Sequence, residues 1–459
     1  MKHIVVNAFY WIILEKFVYN FGILKQGFNM LKNIVVLLFL ILGVQIMYAN
    51  KLSYLTINDV KVPVISEQSS VIPTGHLEVI FIGGGNMFNP PKKPLAKTAS
   101  ILLNHGTKEL GNVKFAELLE SKALSLDAEV GQATLSFTLD FLKEYEDFAY
   151  TQLASLINDP NLTKSALKDV QQKMQAALMN KSTDFDYQAA ILLLKGIFAK
   201  TPLAYPSLGN TTKEIDSVTL QDIKQYLDKT LVLENMVIVI GGDLDIQKSL
   251  AKLEKIFTNL PKGKKVTIPQ YKINNTPIKI AKKDTKQAYI YFASPLNITS
   301  IKDDGYKAQV AGFILGSSGF GSRLMEAIRV QRGLAYSAYM SPNITKTGNY
   351  FTGYMQTAID KQDEAIKLTQ QIVKEFVEKG VTQTELDSAK QFLLGYKPLQ
   401  EETLGQRLNA KFMNYYNGLP LDYKNEFLQK VSELDLQTLN DFILAHKEIA
   451  TLSFAVITK

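Results

Sequence analysis

Gly316-Ser317-Ser318-Gly319-Phe320-Gly321-Ser322-Arg323-Leu324, followed by Arg329-Val330-Gln331-Arg332-Gly333-Leu334-Ala335-Tyr336-Ser337, is the most informative stretch of this 459-residue chain. Glycine by itself only says that the backbone turns. The weight of the stretch comes from its place in a longer pattern. Upstream of it, residues 288–293 read as a strand and 306–315 as a helix. Downstream, 349–354 reads as a strand, 363–379 as a helix stopped by Gly380, 384–395 as a helix, and 452–457 as a last strand.

The first half of the chain runs through the same order. Residues 77–82 form an apolar strand run closed by Gly83-Gly84-Gly85, and a helix starts near Pro94. Residues 133–139 alternate as a strand does, 145–157 and 163–179 read as helices, and 236–240 is a second buried strand. Phe115-Ala116-Glu117-Leu118-Leu119 matches Leu324-Met325-Glu326-Ala327-Ile328, and Phe137-Thr138 matches Phe351-Thr352 at nearly the same offset. The joint falls near Pro261-Lys262-Gly263-Lys264-Lys265. The expected fold is α+β: two homologous halves, residues 50–262 and 272–459, each with mixed or antiparallel sheets covered by helices. Together they form a clam-like cavity.

Composition removes several classes of function. The chain has no cysteine, so disulfides and thiolate metal sites are excluded. It has four histidines, His3, His76, His105 and His446. The net charge is +7, of which residues 1–49 hold +3, leaving a weak bias for the rest; without a dense basic patch, nucleic-acid binding is not expected.

The N-terminus carries an address. Met30-Leu31-Lys32-Asn33 precedes an apolar run from Ile34 to Met47 that ends at Tyr48-Ala49 before a polar stretch. This matches a secretory signal peptide, with a start at Met30 and a break after Ala49. The expected location is periplasmic, or the inner membrane if the signal stays uncleaved as an anchor.

The stretch quoted first, with its turn, its S-R-L helix start and an arginine seven residues before a tyrosine, resembles the C-terminal half of the insulinase-type (pitrilysin-type) zinc peptidases. Gly85-Asn86-Met87-Phe88-Asn89-Pro90, Pro94-Leu95-Ala96, Gly106-Thr107, Pro206-Ser207-Leu208-Gly209 and Ile240-Gly241-Gly242-Asp243-Leu244 match landmarks of the same family, so the resemblance covers residues 53–459. An active member carries H-x-x-E-H on the first helix, where two histidines and a later glutamate hold zinc and the inner glutamate activates water. Here that stretch is Lys97-Thr98-Ala99-Ser100-Ile101. Lys97 and Ile101 replace the histidines, Ser100 replaces the base, and Ala177 falls where the third ligand belongs. A lysine cation has no acceptor and isoleucine no lone pair, so no metal or other cofactor is expected in this chain. His105 with Glu109 could give two ligands at most, against the three that catalytic zinc needs; His105 is expected as a solvated residue in the loop after the first helix. His76 and Glu78 share one strand face and read as surface or edge packing. Ser100 has no placed base that would make it a nucleophile.

The resemblance also implies a role. Members of this family occur as two-chain enzymes, such as the mitochondrial processing peptidase and bacterial relatives, in which one subunit carries the zinc. The other supplies the arginine and tyrosine, here Arg329 and Tyr336, which contact the substrate's main chain and the developing oxyanion. In relatives the peptide adds as a strand on a sheet edge; the matching segment here is Asp127-Ala128, of which only Ala128 keeps the usual residue. The expectation is an exported, non-catalytic subunit of a heterodimer with a zinc-bearing relative, acting on peptides. A binding or assembly protein of the same fold, and a stand-alone metallopeptidase with atypical ligands, are the alternatives.

Overall fold

Two sheets built to one plan account for most of the chain. The computed structural model describes residues 52–459; the N-terminal reading above, residues 1–49 with Met30 and Ala49, lies outside the described residues. The strands are β1 Ser53–Ile57, β2 Val60–Gln68, β3 Thr74–Ile82, β4 Ser125–Val130, β5 Thr134–Leu142, β6 Met236–Gly242, β7 Lys279–Lys282, β8 Gln287–Pro295, β9 Ala335–Thr345, β10 Gly348–Ala358 and β11 Ser453–Thr458. The first sheet has the order β1-β2-β6-β3-β5-β4 and the second β7-β11-β8-β10-β9. In both, one parallel pair (β2 with β6, β7 with β11) is followed by antiparallel pairings in the same sequence. The second sheet thus repeats the first without β1, as the matched residue strings require.

The helices are α1 Leu95–Leu103, α2 Gly111–Glu120, α3 Glu146–Asn158, α4 Lys164–Lys181, α5 Phe185–Ile197, α6 Thr212–Asp216, α7 Leu220–Thr230 and α8 Ile246–Phe257 in the first half. In the second they are α9 Ile301–Gly312, α10 Arg323–Met325, α11 Gln362–Lys379, α12 Gln383–Tyr396, α13 Leu404–Tyr416, α14 Tyr423–Glu433 and α15 Leu436–Ala445. Side-chain caps set many starts: Thr163, Asp184, Asp245 and Ser300 each accept from a backbone N–H, and Thr219–Asp222, Thr382–Glu385 and Thr403–Gln406 form full capping boxes. The helix expected over 306–315 begins at Ile301, because its first turn, Ile301-Lys302-Asp303-Asp304, is too polar for apolar periodicity to reveal. It then widens into a π-turn, Phe313–Ser317.

Strand alternation decides the core. Leu77, Val79 and Phe81 are buried on one face of β3 with Leu135, Phe137 and Leu139 from β5, under α1, α3, α4 and α8. Ala288, Ile290, Phe292, Phe351 and Met355 do the same in the second sheet, under the later helices.

The halves interlock through the opposite sheet faces. α13, from the second half, lays Leu408, Phe412 and Tyr416 on Ile65, Val237 and Val239 of the first sheet. α5, from the first half, lays Leu193 and Ile197 on Ala293 and Ala455 of the second. Burying each such side chain contributes about 2 kcal/mol. Glu67 on β2 accepts from Arg407 (2.6 Å) and Lys411 (2.7 Å) of α13. The joint has no regular structure over 261–278 and is stitched to both halves: Leu233 donates to the Pro261 carbonyl at 3.0 Å, and Tyr271 to that of Thr347 at 2.8 Å. The turn of β9–β10 meets that of β4–β5 where Thr347 Oγ1 donates to Gln132 Oε1 at 2.9 Å.

Candidate functional site

Each residue of the glycine-bearing stretch is fixed by a local cause. Ser322 caps α10, accepting from Met325 N–H at 3.3 Å and donating to the Gly319 carbonyl at 2.8 Å. Gly319 and Gly321 take left-handed backbone angles, φ +68° and +90°, which a side chain at either position would strain. They carry Phe320 between them, 68% exposed. Leu324 and Ile328 are fully buried and hold the segment on the core. Arg323 is a strut: Nε and Nη2 donate to the two carboxylate oxygens of Glu385 (2.6 and 2.8 Å), and Nη2 also reaches the Gly380 carbonyl at 2.9 Å. Burial pushes the Glu385 carboxyl up, but the Arg323 hydrogen bonds outweigh it and hold the group below the usual range.

The α10 helix continues as a π-turn, Glu326–Val330, which carries Arg329. Gly333, at φ +59°, then turns the chain into β9. The β9–β10 register slips here: Ala338 faces Met355 and Ala335 faces Thr357, so Tyr336 and Ser337 together oppose Gln356. Such a bulge re-aims a side chain. Ala335 and Ala338 stay buried on either side of it while Tyr336 is thrown out, 80% exposed.

The result is a stack. The Arg329 guanidinium lies 4.4 Å from the Tyr336 ring centroid and 4.6 Å from that of Phe320. Cation–π contact uses the face of a guanidinium and leaves its N–H donors for other acceptors. No carboxylate pairs with Arg329 among the described residues. Tyr336 is not part of the core, and Arg329 is not tied to a helix carboxylate among the described residues. Phe320 was in the quoted stretch but not singled out; its signal was a large aromatic side chain between two glycines in a turn.

The degenerate zinc positions lie on two helices that pack together. α1 packs on α4, with Thr98 Oγ1 3.4 Å from Met174 Sδ. Lys97 is half-buried, Ser100 is buried, Ile101 packs against the core, and Ala177 lies half-buried on α4. An ammonium, a hydroxyl, a sec-butyl and a methyl group do not fit a zinc ion. Among the described residues no group of three or more His, Asp or Glu side chains is placed to hold a metal.

His105 corrects an expectation. It lies in the loop after α1 but is buried, not solvated: Nδ1 is 2.9 Å from the Ile101 carbonyl, and Nε2 is 2.8 Å from Asp169 and 3.3 Å from Lys173 on α4. The two nitrogens flank the single carbon Cε1 and point to different sides of the ring, so one side chain can both cap α1 and tie it to α4. His76 pairs with Asp140 at 2.7 Å on the face of β3 opposite Leu77, Val79 and Phe81, beside Glu78, whose carboxyl is pushed up by burial.

Asp127 and Ala128 lie on β4, the terminal strand of the first sheet. Asp127 is exposed and Ala128 buried. The Ala128 N–H donates to Asn104 Oδ1 at 2.7 Å, and the Ala128 carbonyl accepts from Asn104 Nδ2 at 3.0 Å.

Comparison with known proteins agrees with this geometry. Residues 217–393 match the family described as Peptidase M16 inactive domain. The chain is 45% identical over 424 residues to a Helicobacter pylori protein named non-peptidase homolog YmxG, covering 92% of this chain and 98% of that one. It is 21% identical over 366 residues to a Bacillus subtilis protein named uncharacterized zinc protease YmxG, covering 79% of this chain and 88% of that one. Among solved structures, a peptidase M16 inactive domain from Pseudomonas fluorescens has the same fold (TM-score 0.80, 21% identity, 89% of this chain and 98% of that one). So does a protease from Helicobacter pylori (TM-score 0.75, 16% identity, 90% and 100%).

Proposed function

Because the chain belongs to the M16 peptidase family as one of its inactive members, we propose that it is the non-catalytic subunit of a two-chain peptidase, exported to the periplasm, where it completes the site of a zinc-bearing relative. The observation that carries this reading is the Arg329–Tyr336 pair: in contact with each other, with Tyr336 80% exposed, Arg329 half-buried, and no carboxylate paired with Arg329 among the described residues. A polar and aromatic pair kept at the surface by a bulge and a π-turn, while the zinc positions hold Lys97, Ser100, Ile101 and Ala177, fits a chain that contributes to another's chemistry.

In this reading a zinc ion held by the partner would supply the Lewis acid and the activated water. The Arg329 guanidinium donates to a main-chain carbonyl of the peptide and fixes its register. The Tyr336 hydroxyl donates to the oxygen that gains charge as the carbonyl becomes tetrahedral.

The test is reconstitution. The exported chain alone is expected to hold no stoichiometric zinc by metal analysis and to cut no peptide. Mixing it with a zinc-bearing relative encoded in the same genome is expected to produce cleavage. Arg329→Ala and Tyr336→Phe are expected to lower the rate of the mixture by about 100-fold or more, as loss of an oxyanion donor does. Full activity of both variants, or full activity of the relative alone, overturns the proposal.

A further inference from the structure

The terminal strand β4 ends the first sheet, and terminal strands are open templates for another strand. In an antiparallel pair, residues alternate between facing the neighbour and facing away. Ala128 gives both its backbone groups to Asn104, so it faces away from β5, and Leu126 and Val130 share that direction. Asn104 follows the last residue of α1 and is held there as its C-cap, with its N–H bonded to the carbonyls of Leu102 and Ser100. A fixed carboxamide offers one acceptor and one donor at the spacing of a peptide group. Asn104 therefore does for Ala128 what a residue of a seventh strand would do. Beside it runs a groove of about 340 Å³ between β4 and α2, lined by Leu103, Phe115, Leu119, Leu124, Leu126 and Leu156. Backbone groups and an apolar trough are what an extended peptide needs. The central position is the one that is taken.

We infer that Asn104 is a stopper on the β4 edge, and that it decides that this chain holds no extended peptide there. The closure stands on this geometry alone. Its consequence, that the peptide strand is held by the zinc-bearing partner while this chain supplies only Arg329 and Tyr336, rests on the pairing proposed above. Asn104 is a specificity-determining residue in that reading, not a catalytic one.

Amide hydrogen exchange on the whole exported chain, read residue by residue, tests the closure without any partner. The probe is a peptide of alternating valine and lysine. In the unmodified chain the Ala128 amide is expected to be protected, and the peptide is expected to leave Leu126 and Val130 unchanged. In Asn104→Ala the Ala128 amide is expected to exchange about five- to ten-fold faster, the loss of about one hydrogen bond. Amides of β3 and β5 are expected to stay as they were. The same peptide is then expected to slow Leu126 and Val130. Asn104→Asp, which keeps an acceptor for the Ala128 N–H but sets a negative charge against its carbonyl, is expected to fall between the two. It carries the test if the alanine variant loosens the whole β4–β5 hairpin. Equal Ala128 exchange in all three chains, or equal slowing of Leu126 and Val130 by the peptide in all three, overturns the inference. Failure of the reconstituted peptidase would remove the pairing and leave these exchange rates as they are.

Discussion

Glu67→Gln is the sharpest test of how the halves are joined. Glu67 stands on β2 of the first half and accepts from Arg407 at 2.6 Å and Lys411 at 2.7 Å on α13 of the second. The three side chains are 20%, 29% and 13% exposed, so solvent screens the cluster only in part. A hydrogen bond to a charged group contributes about 1.5–3 kcal/mol. Glutamine keeps the volume and one acceptor but leaves one cation without a partner. The expected loss is about 2 kcal/mol, or about 2 °C in Tm for a chain this long. Burial pushes the Glu67 carboxyl up, but the Lys411 and Arg407 hydrogen bonds prevail, so its pKa in the folded chain is lowered. A lowered carboxylate stabilises above its unfolded pKa, and that contribution fades as the pH falls through the folded value. The gap between the two chains should be full at pH 7 and narrow once the pH drops below about 4.5. Urea unfolding followed by circular dichroism suits the measurement, since the only tryptophan, Trp11, precedes Ala49. Equal midpoints at pH 7, or a gap unchanged at pH 3, would refute the reasoning.

Other expectations follow from the same geometry. Residues 50–262 and 272–459, expressed apart, should each fail to fold cooperatively, because each loses the helix that covers its sheet, and mixing them should restore a single transition. Two independent transitions in the separate pieces would show that the interlock is dispensable. Gly85→Ala should destabilise by about 3 kcal/mol, since the added methyl would sit 2.2 Å from the Gln132 carbonyl oxygen and 2.3 Å from the Ala133 nitrogen, both backbone atoms; denaturant midpoints check this. Phe320→Ala should leave stability unchanged, the side chain being exposed, yet lower the rate of the reconstituted peptidase about three- to five-fold by freeing Arg329 on one face, with Phe320→Tyr close to the unmodified chain. A larger loss of stability than of rate would assign Phe320 to packing instead.

Much of the fold was legible because it rests on local rules. The strand at 77–82 falls within β3, Thr74–Ile82, since alternation is a property of the chain itself. Gly380 ends α11 at φ +69°, as a glycine after a periodic run should. Which positions correspond to zinc ligands came from the resemblance; helical spacing adds only that Lys97, Ser100 and Ile101, at i, i+3 and i+4, share a face of α1. His105 was misjudged for the opposite reason. A histidine in a loop reads as solvated until the neighbouring helix is in place, and Asp169, 64 residues away, is what buries it.

The sequence by itself determined the two-fold repeat, the loss of metal-binding chemistry at Lys97, Ser100, Ile101 and Ala177, and the retention of Arg329 and Tyr336. These depend on residue identity and short-range periodicity, which the chain carries with it. Only the tertiary structure decided what those residues meet. The bulge that exposes Tyr336 depends on strand register, the ring that Phe320 lays on Arg329 depends on how a turn folds back, and the carboxamide that closes Ala128 comes from 24 residues earlier. The exchange of α5 and α13 between the halves was invisible for the same reason: an apolar helix face shows that it must be buried, not which sheet will bury it.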